Sequence, residues 1–312
     1  VISWSTTDIA GIEFGDAHIA AARVREKRAG SHQITHAGWV DYDPAGSPKD
    51  KAEAIKALWK HSKMPTRTVC AALRSGSLTV RSFSFPAMTP RELSAVIWLQ
   101  AEEAMQLSRS EMVVEWHINR NPTVEMNERP VTGFFAAAPL KDIDAELEWL
   151  RAADLDPVIL DIRALAVANL RGTFKGTEAD ECSQCLVNLA PHSADIILQH
   201  APGVCYPHTV YCRASTWEET PEFLAENIRD VMRYGEFKLG WKSSARVVLM
   251  GQMEKPSRLP ARVHELLGQE VQVWVPWEDG LQTSRAVDKV LSRDGVDSGI
   301  LLPALGLALR RT

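Results

Sequence analysis
The sequence predicts an α/β protein of two lobes with mixed sheets. Extended apolar runs alternate with amphipathic helical runs along most of its 312 residues. An apolar strand, a tight turn and a second strand open each half, at Asp8–Ala21 and again at Cys185–Leu198. A polar stretch from Gly172 to Ser183 separates the halves. The length suffices for two domains or one large bilobal one.

Residues 8–25 and 31–41 read as three successive strands, with turn signals at Gly15-Asp16 and Gly30-Ser31. Lys49 to His61 is helical, with Ala52, Ile55 and Leu58-Trp59 on one face. Thr68–Leu73 and Leu78–Phe85 are strands, the second stopped by Pro86. Thr89-Pro90-Arg91-Glu92 is a capping box with proline at the first helical position, so a helix runs on to Met105. Strands Met112–Asn119 and Pro130–Ala138 follow, joined by a polar loop, Arg120–Arg129. Asp142–Ala153 is a helix, Val158–Ile162 a strand and Arg163–Leu170 a helix. In the second half, Gly203–Tyr211 is the third strand, and Thr220–Leu239 is one long helix with Phe223-Leu224, Ile228, Val231-Met232 and Phe237 on its apolar side. Arg246–Met250 is a strand, Ala261–Leu267 a helix, Val271–Val275 a strand and Leu302–Arg310 the last helix.

Composition narrows the function classes. Hydrophobic residues make up 45% and charged residues 24%, as in a soluble globular protein. The net charge of −5 leaves no bulk basic surface for nucleic acid. The longest apolar run, Gly299–Leu309, is shorter than the roughly 20 residues that span a bilayer, and reads as a buried helix. The first residues carry no charged and then apolar run of the secretory kind. Five cysteines are spread as Cys70, Cys182, Cys185, Cys205 and Cys212, which fits a reducing cytoplasm better than a disulfide scaffold.

Several stretches carry a resemblance, in order along the chain. Gly11-Ile-Glu-Phe-Gly15 resembles a G-I-D-I-G opening. Arg81–Met88, followed by Glu92-Leu93, resembles an R-x-x-x-x-P-x-M…E-L lead-in to an inserted subdomain. Leu150–Pro157 with Asp161-Ile162 resembles L-x-x-A-G-L-x-P…D-V, and Ala304–Arg310 resembles A-x-G-L-A-L-R. By these the chain resembles PilM, the actin-like cytoplasmic protein of type IV pilus assembly machines. The resemblance implies an actin-like bilobal fold. Lobe one's core would be 1–85, 158–182 and 300–312, the inserted subdomain 86–157, and lobe two 183–299. The helical subdomain of lobe two would be reduced, near 216–244. The resemblance also implies a cytoplasmic protein, peripheral at the inner membrane. Its partner would be the cytoplasmic N-terminal segment of a PilN-like membrane protein, held as an extended peptide in a groove between lobe one's core and the insertion. Phe83, Phe85 and Met88 are the candidate partner contacts. Other pilus inner-membrane components and self-association are further candidates.

In the implied fold, paired hairpins hold ATP. An Asp near the strand end reaches the metal, and a Gly lets backbone amides approach phosphate oxygens. The corresponding positions are Gly11, Glu13, Gly15 and Asp16, then Asn188 and Ala190, then Gly251 on the adenosine side. Glu13 is one methylene longer than Asp. Asp16 sets a negative charge beside the phosphate position. Asn188 lacks the metal-facing charge, and Pro191 after Ala190 donates no amide. The expectation is therefore a scaffold with no catalytic residue, no metal and no nucleotide. The alternatives are a PilM-type ATPase that binds ATP and Mg in an atypical pocket, or the cytoplasmic module of a type II secretion system.

Cys182-Ser-Gln-Cys185 has redox or zinc spacing. With Cys205 and Cys212 the set is too irregular for a four-thiolate site, so ordinary thiols are expected. His192 and His208 are expected in separate surface or hydrogen-bonded roles rather than together in the cleft. Trp59, Trp98 and Trp149 sit at helical apolar spacing, as core residues do, while Trp274 and Trp277 flank Pro276 at a strand end.

Overall fold
The first hairpin is β1 (Ala10–Phe14) with β2 (His18–Glu26), and β3 (His32–Asp41) continues it antiparallel. The computed structural model describes residues 8–27, 31–74, 76, 78–119, 130–173, 183–201, 204–239, 246–253, 257–292 and 297–310. The expected loop 120–129, most of the polar stretch 172–183 and Cys182 lie outside them.

Ser47 caps α1 (Pro48–Ser62) through a reciprocal pair with Asp50, and Lys63 ends it in the left-handed region. The chain then adds β4 (Thr68–Leu73), parallel to β1. After the insertion, β8 (Asp156–Ile162) pairs with β4 in parallel. Pro157 is tolerated because β8 is the sheet's edge. Alternation sorts the side chains of this sheet. Ile12, Phe14, Ile19, Val69 and Ala71 face α1 and α3 (Leu140–Ala152). Ala20, Ala22, Cys70 and Ala72 face α4 (Arg163–Thr173) and α8 (Leu302–Ala308).

The insertion has its own sheet, in the order β5 (Thr79–Phe85), β7 (Val131–Pro139), β6 (Met112–Ile118). Helix α2 (Pro90–Met105) covers one face, capped by Thr89 and Glu92 as expected. Two boundaries shift from the sequence expectation of 86–157. Strand β5 pairs with β7, so it belongs to the insertion rather than to lobe one. Helix α3 leaves the insertion, because Trp149 and Leu150 pack against α1 and the first sheet.

Lobe two is a sheet ordered β11 (Val204–Tyr211), β10 (Ser193–Ala201), β9 (Gln184–Leu189), β12 (Arg246–Gly251), β13 (Val271–Val273). One face packs on α5 (Pro221–Leu239) and α6 (Leu259–Leu267). Among the described residues, one 3-10 turn (Trp217–Glu219) and α5 fill the span between β11 and β12. The expected second lobe, 183–299, ends too late. Strand β14 (Gln282–Thr283) pairs with β3, and α7 (Arg285–Leu291) packs there through Val287. A strand of two residues leaves no periodicity to read.

The second face of lobe two, with Leu186, Ile197, Val248 and Met250, packs into the same core as α4 and α8. These two helices are thus enclosed between the sheets. Their close approach needs glycine: a Cβ on Gly306 would lie 1.9 Å from the Ala166 carbonyl, and one on Gly11 1.9 Å from the Ala304 carbonyl. Gly306→Ala should therefore cost about 3 kcal/mol or more in urea denaturation. Gly76→Ala, where a Cβ meets open space, should stay within about 0.5 kcal/mol.

Candidate functional site
The two hairpin turns are built alike. Gly15 N–H donates to the His18 carbonyl at 2.9 Å, and Ala190 N–H to the Ser193 carbonyl at 2.8 Å. The Tyr42 hydroxyl donates to the Gly15 carbonyl at 2.9 Å, and the Trp217 indole N–H to the Ala190 carbonyl at 2.8 Å. The amides of Gly15 and Ala190 are thus spent within their own turns.

Between the turns the remaining cavity is about 10 Å³, bounded by Glu13, Gly15, His18, Arg163, Asn188 and Ala190 among others. That is at most the space of one water. Arg163, the first residue of α4, occupies the cleft. Its Nε donates to Asp195 Oδ2 at 2.6 Å and its Nη2 to the Ser193 hydroxyl at 2.8 Å. Its Nη1 stands 4.0 Å from Glu13 Oε1. Glu13 is on lobe one's hairpin, whereas Asp195 and Ser193 are on lobe two's. The guanidinium therefore spans both.

The neighbouring residues follow from that charge. Asp195 pairs in register with Asn188, whose amide lies 3.5 Å from Asp195 Oδ2. An Asp at 188 would set two buried carboxylates side by side, which is unfavourable. The Thr209 hydroxyl donates to Asp195 Oδ1 at 2.8 Å. Burial pushes the Glu13 carboxyl up to about 7, against the opposing pull of Arg163. Burial pushes the His18 imidazole, 3.9 Å from Glu13, down to about 4. Burial works against the Arg163 cation too, but the carboxylates of Asp195, Glu13 and Asp16 hold its pKa above the ordinary value.

Of the positions expected at a nucleotide site, Glu13, Gly15, Asn188 and Ala190 come together at the cleft. Asp16 is exposed on the turn. Gly251 lies behind the cleft at φ 94°, where a Cβ would strike the Leu189 backbone. Gly11 is not in the cleft; it makes room for α8. Sequence reading missed Arg163 and Asp195. A signal existed, since Asp195 is a lone charge within the apolar run Ala194–Leu198, and a charge so placed needs a buried partner.

A second cavity, a groove of about 460 Å³, lies between the insertion and lobe one. Val113, Phe134, Ala136, Leu160 and Leu165 give it apolar walls, with Glu115 and the Asp161–Arg310 ion pair among its polar groups. Strand β7 is apolar on both faces: Phe135 and Ala137 face α2, whereas Phe134 and Ala136 face the groove. Phe83, Phe85 and Met88 do not reach it. In the β5–β7 register Phe83 shares the face of Gly133, toward α2, where it is 3% exposed and stacks on Phe85 at 5.2 Å. Phe85 and Met88 pack half-buried against the same core. The thiols of Cys70, Cys185, Cys205 and Cys212 are free and buried, and burial pushes those of Cys185 and Cys205 up to about 12.

The chain is similar over 97% of its length to a solved PilM-PilN type IV pilus biogenesis complex, and covers 98% of that chain at 19% identity with a TM-score of 0.75. The fold is therefore the bilobal actin-like one in its PilM-like form. Two more distant likenesses are an actin-like ATPase-fold protein of unknown function from Bacteroides thetaiotaomicron (10% identity, 94% and 100% of the two chains, TM-score 0.49) and the cytoplasmic domain of EpsL, an inner membrane component of the type II secretion system of Vibrio cholerae (11%, 95% and 98%, 0.48). No protein-family model matches the chain, and no curated protein sequence does.

Two outcomes follow for the cleft. Asn188→Asp should destabilise the fold by about 2 kcal/mol or more at neutral pH, read by denaturant unfolding. Glu13 keeps its proton up to about 7 when folded but loses it near 4.5 when unfolded. The folded state then binds more protons across that window, and stability falls as pH rises through it. Glu13→Gln removes this loss, so variant stability minus wild type should climb from pH 4.5 to 7, by on the order of 3 kcal/mol, and level off above. His18 acts oppositely, contributing a rise between about 4 and 6.5.

Proposed function
We propose that the chain is a cytoplasmic scaffold of a type IV pilus assembly machine, peripheral at the inner membrane. It holds the cytoplasmic N-terminal segment of a PilN-like membrane protein in the groove between insertion and lobe one, and it neither binds nor hydrolyses ATP. The contrast between the cleft and the groove carries this reading. The cleft where paired hairpins would grip a nucleotide keeps about 10 Å³ and is occupied by Arg163, whereas the groove keeps about 460 Å³. The groove's size and apolar lining suit an extended peptide segment, and β6 lies at the edge of its sheet, the position from which a strand can be added. A likeness to a PilM-PilN complex supports the choice of partner. Among the described residues no helix is long and apolar enough to cross a membrane, which fits a protein recruited through a membrane partner.

Titration with Mg-ATP by calorimetry should give no heat of binding up to millimolar nucleotide. Micromolar binding overturns the non-nucleotide reading in favour of an ATPase with an atypical pocket. A synthetic PilN-like N-terminal peptide should bind the wild type, and Ala136→Arg, which fills the groove, should weaken it by about tenfold or more. No binding to the wild type, or unchanged binding by the variant, overturns the scaffold reading.

A further inference from the structure
The groove and the cleft meet at three consecutive residues. Asp161 lines the groove and accepts from Arg310 Nε at 2.5 Å, Ile162 lines it as well, and Arg163 is the next residue. Arg163 has no room on its cleft side. On its other side a space of about 200 Å³ is bounded by Arg163, Asp195, Val80 and Thr209. Leu73, Leu78 and Ile162 line both this space and the groove, so the two cavities share a wall. The insertion also reaches lobe two directly. The Ser82 hydroxyl donates to the Tyr234 hydroxyl at 3.1 Å, and Cys205 N–H donates to Asn119 Oδ1 at 3.3 Å. Cys205 itself lines the groove. The groove is thus bounded by the insertion, lobe one and lobe two together.

We propose that Arg163 is a cross-lobe latch that sets the opening of the groove. While its guanidinium is paired with Asp195, lobe two's hairpin is held to the start of α4, and the β8–α4 junction and insertion are fixed with it. Release swings the Arg163 side chain toward the neighbouring space and lets the groove walls part. By linkage, whatever fills the groove must shift the latch by the same free energy that the latch shifts the groove. This goes beyond the scaffold reading and does not depend on what occupies the groove.

Hydrogen exchange read by mass spectrometry tests it on the whole chain. Arg163→Gln leaves Asp195 buried and unpaired, a change that can unfold the protein. The double variant Arg163→Gln with Asp195→Asn replaces the ion pair by a smaller neutral pair with no buried charge left unpaired, and decides the matter if the single variant does not fold. In the double variant, exchange should accelerate by about tenfold or more in residues 186–195 and also in groove strands β6 and β7, which do not touch Arg163. The core of α5 should stay unchanged. From the other side, Arg310→Gln, in the groove, should accelerate exchange in residues 186–195. The latch is overturned if the double variant alters only the segments around positions 163 and 195, or if Arg310→Gln leaves lobe two's hairpin unchanged.

Discussion
A buried guanidinium between two hairpins sets the terms on which the lobes meet. An unpaired cation there would cost several kcal/mol, so its surroundings must answer it. Asp195 and Ser193 answer from lobe two. Glu13 stands a little farther off on lobe one, with its carboxyl raised by burial. Asn188 is neutral where a second acid would collide with Asp195. The two turns close over the group, each sealed by an aromatic donor, Tyr42 or Trp217, on its carbonyl. A cleft where the sequence resemblance implies a nucleotide is here complementary to a cation from its own chain.

The same economy governs the packing. Helices α4 and α8 serve both lobes at once, which is why glycines stand at the crossings with β1 and between the helices. Strand β7 of the insertion is apolar on both faces, and α2 covers one of them. Its second face makes the groove. Cleft and groove are therefore products of one arrangement: the insertion is set against β8, and β8 runs straight into the helix that carries Arg163.

Much of the fold was legible in the residues. The capping box at Thr89 and Glu92, the two hairpins and the alternation along β1, β2 and β4 are local patterns, and local patterns survive folding. What was not legible depended on register and on distant pairing. Phe83, Phe85 and Met88 look like a contact cluster until the β5–β7 register turns Phe83 toward α2. Strand β14 is too short to show a period and exists because β3 offers an edge. Arg163 reads as an ordinary helix residue until Asp195, 32 positions away, comes to meet it. Asn188 stands where the resemblance implies an acid, and that was readable in the sequence, but the buried Asp195 beside it, which disfavours a second acid, and its partner Arg163 were not.

The burial of α8 between the sheets orders events in time. The strands of lobe one leave the ribosome long before the helix that covers their inner face, and Gly11 must wait for Ala304. Lobe two's inner face waits for the same core. Neither half can complete its interior before α8 is made, so a nascent chain carries two open apolar faces until then. Closing this core is then a late step dominated by contacts distant in sequence, and apolar faces left open until then are the part of the chain most exposed to aggregation.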